Sequence, residues 1–188
     1  TIKKTYFQGN ISMKYKLPFV KGLSLKLNAS YVKSYTMQKK YFLPYDLDCW
    51  NQSTRSWGVQ KGRIASKASL NQWFTESQGY TIQPTVEYFN KFGKHAVSGL
   101  FLYEYSRTDE SSLSAGREDF PITDIMDMSY GLTVNENLVK GGHGLDRRAG
   151  YVFRFNYSYD DKYLLEVTSR IDASTALPKK YRWGVFPG

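Results

Sequence analysis

The chain has 188 residues with 26 Lys and Arg against 17 Asp and Glu, a net charge of +9, and this length suits one ordinary domain. It contains no run of about 18 apolar residues, which excludes a transmembrane helix, and its positive residues are scattered rather than gathered in a stripe, which argues against a nucleic-acid partner. Aromatic residues make up 16% of a chain whose mean hydropathy is −0.52, a combination that suits surfaces apolar on one side and wet on the other.

Two segments near the start alternate between apolar and polar residues, as the strands of a hairpin do. Their apolar positions are Phe7, Ile11, Met13, Tyr15 and Leu17, then Leu23, Leu25, Leu27, Ala29 and Tyr31. Only a short connection, 18–21, separates them. No leader-like segment precedes the first strand, and we therefore expect Thr1 to be internal to a longer polypeptide or exposed by processing.

Four more strands are predicted farther along the chain. We interpret 66–90 as one long, bent strand rather than two, followed by a turn at 90–94 and a fourth strand over 95–106. The last two strands cover 149–159 and 163–172, joined by the turn residues Asp160, Asp161 and Lys162. The connections after strands one, three and five are thus tight, whereas those after two and four, 37–65 and 107–145, are long.

The apolar side of these strands carries almost no charge, which is the pattern of a lipid-facing surface. Aromatic residues crowd this side near the tight turns, as they do at a membrane–water interface. The candidate lipid-facing residues of the last two strands are Tyr151, Phe153, Phe155, Tyr157, Tyr159, Tyr163, Leu165 and Val167.

The opposite side mixes positive and negative residues, which would suit the wet lumen of a large barrel. The candidate lumen-facing residues are Arg148, Arg154, Glu166, Arg170 and Asp172. They could contact solute, but mutual pairing that keeps the wall rigid is the simpler interpretation.

Together these features predict an all-β fold: an antiparallel transmembrane β-barrel segment with short periplasmic turns and long extracellular loops. About six strands cannot close a barrel, because roughly eight are needed. We therefore expect residues 1–188 to be a partial barrel domain of a larger protein. A soluble antiparallel sandwich shares the alternation and stays open as an alternative.

Several stretches resemble SusC/RagA-like TonB-dependent outer-membrane transporters. They are YSYDDKYLLEVTSRIDAST (157–175), RWGVFPG (182–188), FGKHAVSGLFLYE (92–104) and GREDFP (116–121). The resemblance covers residues 80–188, and the first 79 agree only in their barrel pattern.

The resemblance implies a barrel of about 22 strands in the outer membrane of a Gram-negative bacterium of the Bacteroidetes. It also implies import of oligosaccharides or peptides with a SusD-like surface lipoprotein, driven by the TonB complex through a plug domain. The plug domain, the TonB box and the remaining strands are absent from this sequence. The expected partners are therefore that lipoprotein, the TonB complex, the solute and lipid.

Residues with the spacing of a catalytic or metal site are missing. His95, His143 and Cys49 do not have metal-ligand spacing, and adjacent carboxylates such as Asp160 and Asp161 suit turns better than acid–base catalysis. We expect no enzyme activity and no cofactor.

Two groups in or near the long loops are candidates for substrate or partner contacts. The first, which could stack on sugar rings or form the core of a loop, is Trp50, Trp57 and Trp73; the second, from the resemblance, is Arg117, Glu118, Asp119 and Phe120. The second group could instead hold its loop in place. The tryptophans would also serve the alternative function, a secreted soluble all-β carbohydrate-binding module.

Overall fold

The computed structural model describes residues 1–61, 67–125 and 127–188, and these ranges are almost entirely β-strand. The strands are β1 Ile2–Lys16, β2 Leu23–Phe42, β3 Leu47–Asn51, β4 Ser56–Gln60, β5 Ser69–Phe92, β6 His95–Glu118, β7 Thr133–Val134, β8 Lys140–Tyr159, β9 Tyr163–Ser174 and β10 Trp183–Pro187. Short 3-10 helices cover Met128–Tyr130, Glu136–Leu138 and Lys179–Tyr181. Among the described residues, no helix is both long and apolar enough to cross a membrane.

Most strands belong to one sheet with the order β1-β2-β5-β6-β8-β9-β10, in which β7 also pairs with β6. The β6–β7, β8–β9 and β9–β10 pairs are antiparallel, and β3 and β4 form a separate antiparallel hairpin. The all-β, antiparallel prediction is confirmed. Within the described ranges the order starts at β1 and stops at β10 without closing.

The prediction of about six strands is wrong in number, because the described sheet path contains seven. The additional strand is β10, whose Val185 lies opposite Ile171 of β9. β10 has only five residues, including a glycine and a terminal proline, and a segment this short is not predicted as a strand from alternation. Its extended conformation comes instead from backbone pairing with β9.

The predicted loop bounds, 37–65 and 107–145, are also wrong. β2 continues to Phe42, β6 continues to Glu118 and β8 already begins at Lys140. These strand ends are rich in polar residues on both faces, so that alternation disappears while backbone pairing continues. The single long strand predicted over 66–90 is confirmed as β5, although residue 66 lies outside the described residues.

Tight turns join β1 to β2, β5 to β6 and β8 to β9, and they are linked to neighbouring strands. The Phe89 amide donates to the Gly22 carbonyl at 2.8 Å, and the Asp160 amide donates to the Lys94 carbonyl at 2.8 Å. Gly22 has φ +90°, and a Cβ there would lie 1.9 Å from the Phe89 carbonyl oxygen. Only glycine therefore fits this turn.

Replacing Gly22 with alanine is expected to lower the free energy of unfolding by about 1–3 kcal/mol or more, from backbone strain plus the clash with Phe89. Denaturant unfolding of the complete polypeptide, followed by fluorescence, measures this change. Gly93→Asn is the matched control, because Gly93 has φ +58° with no atom within 4 Å of an added Cβ, and asparagine tolerates that backbone. Equal stability of the two variants would contradict the prediction.

The chain divides into two compact units. One contains 6–34, 77–110 and 144–188, and thus the tight turns and most of the long strands. Its described residues include no buried hydrophobic side chain. The other contains 1–5, 35–76 and 111–143, and its described residues hold a small core of Ala68, Leu70 and Phe120, against which Tyr41 and Met128 pack.

Candidate functional site

The β8–β9 ladder assigns the predicted lipid-facing residues to one side of the sheet. Phe155 lies opposite Val167, Tyr157 opposite Leu165, and Tyr159 opposite Tyr163. Directly opposed residues share a face, as do residues two apart in one strand. This side, here the apolar face, therefore carries all eight candidates: Tyr151, Phe153, Phe155, Tyr157, Tyr159, Tyr163, Leu165 and Val167.

Rings on the apolar face contact one another sideways rather than packing under a second layer. Phe101 lies 4.9 Å from Phe153, and Tyr103 lies 5.1 Å from Tyr151, between ring centroids. Tyr151 also stacks with Trp183 of β10 at 6.2 Å. Phe155 remains 44% exposed, and many large apolar side chains of this face are similarly exposed. A continuous row of exposed apolar side chains differs from the single, scattered apolar residues that are usual on the surface of soluble proteins.

The opposite side, here the polar face, carries the candidate lumen-facing residues. Arg154 lies opposite Thr168, Glu166 opposite Asn156, and Asp172 opposite Gly150. By the same alternation, Arg148 and Arg170 belong to this side. The register therefore groups all five candidates as the sequence pattern predicts.

Ion pairs connect these residues within β9, between the neighbouring strands β8 and β9, and from β9 to β6. Arg170 Nε lies 2.7 Å from an Asp172 carboxylate oxygen, and Arg170 Nη2 lies 3.8 Å from Glu104. Arg154 and Glu166 are 3.7 Å apart. Gly150 leaves room for this arrangement, because a Cβ there would lie 2.6 Å from Asp172 Oδ1. The pairs are well exposed to solvent, so they position side chains more than they stabilise the fold.

A further ion pair on the polar face was not predicted as a pair from the sequence. Lys14 Nζ lies 2.6 Å from Glu87, which also accepts a 3.4 Å hydrogen bond from Ser24. Lys14 and Glu87 both occupy polar positions of the alternation in their strands, but no sequence signal relates β1 to β5. The strand order places β2 between them, and two long side chains span that distance.

The second long connection is held by the group Arg117–Phe120. Arg117 donates to the Gly131 carbonyl at 2.8 Å, and Glu118 accepts a hydrogen bond from Asn135. Asp119 accepts from Lys67 at 2.7 Å and from Thr133 at 2.9 Å.

The burial of Phe120 and the position of the strand end indicate the role of the group Arg117–Phe120. Phe120 is 7% exposed and meets the Tyr41 ring edge-on at 5.5 Å. Arg117 and Glu118 are the last residues of β6, a correction to their predicted place in a loop. The side chains are engaged within the connection itself, which favours the loop-fixing interpretation over direct substrate contact.

Hydrogen bonds from Lys67 and then Thr133 lower the pKa of Asp119 below its usual 3.8, and the hydrogen bond to Asp119 raises the pKa of Lys67. A carboxylate whose folded pKa is lowered stabilises the fold above its unfolded pKa, and this contribution is lost as pH falls through the folded pKa. Near neutral pH, therefore, the contribution is fully present.

We expect the order of segment 127–139 to be constant from about pH 7 to about pH 5 and to decrease as pH falls below 3.8. Hydrogen exchange, corrected for its intrinsic pH dependence, measures this order. Asp119→Asn should reduce the pH dependence of this segment and leave the part that comes from Asp127, whose pKa is lowered by hydrogen bonds from Ser129. An unchanged acid response in that variant would assign the transition to another group.

The tryptophan candidates separate into two places. Trp50 and Trp57 are cross-strand partners in the β3–β4 hairpin, with ring centroids 5.6 Å apart at 65°. They are 51% and 71% exposed. Trp73 is not a loop residue, because it lies within β5 and is partly buried. It therefore lies beside the first long connection, in the strand predicted over 66–90, and not in the connection itself.

Some residues of both faces were missed by sequence reasoning. Trp183 and Phe186 belong to β10, and the register pairs them with Ala173 and Arg170 on opposite faces. Sequence reasoning also missed the 2.7 Å hydrogen bond between His95 Nδ1 and the Tyr157 hydroxyl. Only pairing between strands reveals these neighbours.

Within 1–61, 67–125 and 127–188, no group of three His, Cys, Asp or Glu side chains could hold a metal ion. The geometry of the described residues offers two surfaces and a folded connection.

No protein-family model matches the chain, and comparison with curated proteins finds no match. Among solved structures, the chain is similar to one in the RagAB peptide transporter, with 18% identity, a TM-score of 0.75, and coverage of 98% of this chain and 19% of that one. For the RagAB peptide importer in the 'closed-closed' state the identity is 19% and the TM-score 0.74, and the match covers 98% of this chain and 19% of that one. For the importer in the 'open-open' state the identity is 20% and the TM-score 0.75, and the match covers 100% of this chain and 19% of that one.

At 18–20% identity the likeness establishes the fold alone. The chain spans 19% of the length of the chains it matches. Its all-β fold is therefore similar to that of one segment of a RagAB transporter chain.

Proposed function

We propose that the chain is a segment of the transmembrane β-barrel of a SusC/RagA-like TonB-dependent importer in a Gram-negative outer membrane. One observation carries the proposal: a single sheet has an exposed, ring-bearing apolar face and an ion-paired polar face. The fold similarity to RagAB and the motifs over 80–188 support it.

The apolar face fits hydrocarbon better than water. Fully burying a side chain such as Phe155 or Val167 is worth about 1.5–3 kcal/mol relative to leaving it exposed. No second layer covers these residues within the described ranges, and lipid would supply that burial. The polar face, with its half-exposed Arg170–Asp172 and Arg154–Glu166 pairs, fits a watery bore.

The arrangement of the connections supports an orientation. Tight turns such as Gly93–Lys94 would lie on the periplasmic side, and the described parts of the long connections, 43–61, 67–68, 119–125 and 127–139, would lie outside. Unpaired edges are not tolerated in hydrocarbon, so β1 and β10 would pair with further strands of a barrel of about 22.

The remaining parts of the system are proposed from the resemblance. They are a plug domain, the TonB complex, a SusD-like surface lipoprotein and a bacterium of the Bacteroidetes. Because the similar structures are described as a peptide transporter and a peptide importer, peptides are the favoured solute, with glycans second. The proposal includes no catalytic step.

The alternative, a secreted soluble carbohydrate-binding module, is not favoured. Its exposed Trp50–Trp57 pair could bind sugar, but the apolar face would remain in water, where surfaces of this kind cause association or aggregation.

Fractionation of cells that produce the complete polypeptide tests the proposal. We expect the protein in the outer membrane, extractable only with detergent, with a heat-sensitive compact band on gels. A periplasmic soluble protein is the control. A monodisperse protein in detergent-free buffer would contradict the assignment. Uptake of labelled peptides and glycans, with and without the gene, then identifies the solute class.

A further inference from the structure

A cavity of about 440 Å³ opens on the polar face between the middle of β8, the end of β9, the connection 175–182 and β10. The residues that matter for its chemistry are Arg148, Arg170, Asp172, Tyr181, Arg182 and Phe186. It lies at the end of β9 that the proposed orientation directs outward.

The three arginines of the cavity are not equivalent. Arg170 is held by Asp172, with Nε 2.8 Å and 2.7 Å from its two oxygens. Arg148 uses Nε to reach Asp146 at 3.0 Å, and Arg182 uses Nε to reach the Leu177 carbonyl at 3.1 Å. Among the described residues, the terminal Nη groups of Arg148 and Arg182 have no hydrogen-bond partner.

Backbone pairing brings these two arginines to the same level. Arg148 lies opposite Ser174 in the β8–β9 register, and the Ser174 amide donates to the Arg182 carbonyl at 3.2 Å. Their backbones are therefore two strand spacings apart, about 10 Å. Two arginines whose backbones have that separation and whose side chains line one cavity can direct both guanidinium groups to a single carboxylate.

Exposed aromatic rings line the same cavity. Phe186 lies opposite Arg170 and therefore on the polar face, and its ring covers Gly184. It is solvent-exposed there, as is Tyr181. An apolar ring on an otherwise ionic wall provides a surface for an apolar group next to the anion site.

Resting on the proposed transport function, we infer that this cavity binds the terminal carboxylate of a peptide whose last side chain is apolar. The Nη groups of Arg148 and Arg182 hold the carboxylate, and Phe186 packs against the side chain. A neutral glycan lacks the anion that this site requires.

The test uses the complete protein in detergent and a degenerate library of short peptides, prepared with either free or amidated carboxyl ends. Retained peptides are counted by mass spectrometry. We expect free-carboxyl peptides with apolar last residues to be retained about tenfold or more over amidated ones, since a charge-assisted bond is worth that factor. The variant R148Q/R182Q should lose this preference.

Lys179→Gln is the matched control, because it removes one positive charge from the same connection without lining the cavity. It should retain the preference. Equal retention of free and amidated peptides, no retention of either, or an unchanged preference in R148Q/R182Q would overturn the inference. Stability loss in R148Q/R182Q without a change in retention would mean that the arginines serve the fold.

Membrane fractionation of the same preparations distinguishes the two proposals. A protein that is inserted in the outer membrane but shows no carboxylate preference would contradict the cavity assignment alone. A protein that is not in the membrane would contradict the transport function.

Discussion

With the membrane placement proposed above, Phe155→Arg is expected to lower the free energy of unfolding by about 2–4 kcal/mol, the cost of an arginine on a lipid-facing strand near the bilayer midplane. Phe155 lies within β8 on the apolar face, opposite Val167. No residue of the β8–β9 register on that face offers a negative partner. The new charge would therefore remain unpaired in hydrocarbon and reduce the amount of assembled protein.

Asn156→Arg is the matched control for this prediction. It introduces the same residue one position farther along β8, but on the polar face and opposite Glu166. We expect assembly close to wild type, because the arginine meets water and an opposite charge. Urea unfolding in lipid vesicles and the heat-sensitive gel band measure both variants. Equal effects at 155 and 156 would contradict the assignment of the two faces.

Leu70→Ala is expected to destabilise the unit formed by 1–5, 35–76 and 111–143 by about 2–5 kcal/mol, the usual cost of deleting a buried leucine side chain. Leu70 is 0% exposed and shares its cluster with Ala68 and Phe120. The described residues supply few other buried apolar groups to that unit, so little remains to close over the cavity.

The same substitution at Leu132 provides the comparison, because that side chain is 73% exposed in the same unit. Leu132→Ala should change stability by no more than about 0.5 kcal/mol. Hydrogen exchange of segments 67–76 and 111–120 reports the local stability of each variant. Similar exchange in Leu70→Ala and wild type would show that the cluster does not hold the connection.

The two groups of candidate contact residues, Arg117–Phe120 and the Trp50–Trp57 pair, use their side chains in different ways. Asp119 and Phe120 are used internally, through Lys67, Thr133 and Tyr41. Trp50 and Trp57 are mainly in contact with each other and project into solvent. The hairpin rings are therefore accessible at the surface, whereas the Asp119 cluster keeps its connection ordered.

Strand identity and face were predictable where one side of a strand differs chemically from the other. The starts of β2, β6 and β9, at Leu23, His95 and Tyr163, follow directly from turn residues and the onset of alternation. The face of each residue in β8 and β9 follows from parity, because successive side chains point to opposite sides.

Prediction failed where both faces of a strand are polar. Residues 107–118 of β6 contain no clear alternation, yet they pair with neighbouring strands. Backbone hydrogen bonds extend a strand regardless of its side chains, so the chain pattern could not reveal where pairing ends. The same reason accounts for β10, which is a strand because β9 offers it an edge.

By itself, the amino-acid sequence determined the all-β class, the tight turns and the separation of an apolar from an ionic side, since these depend on local turn chemistry and a two-residue period. Only the tertiary structure decided which charges pair, as in Lys14 with Glu87, and which side chains surround the Arg148–Arg182 cavity. Those contacts join residues that are far apart in the chain, and strand order and register bring them together.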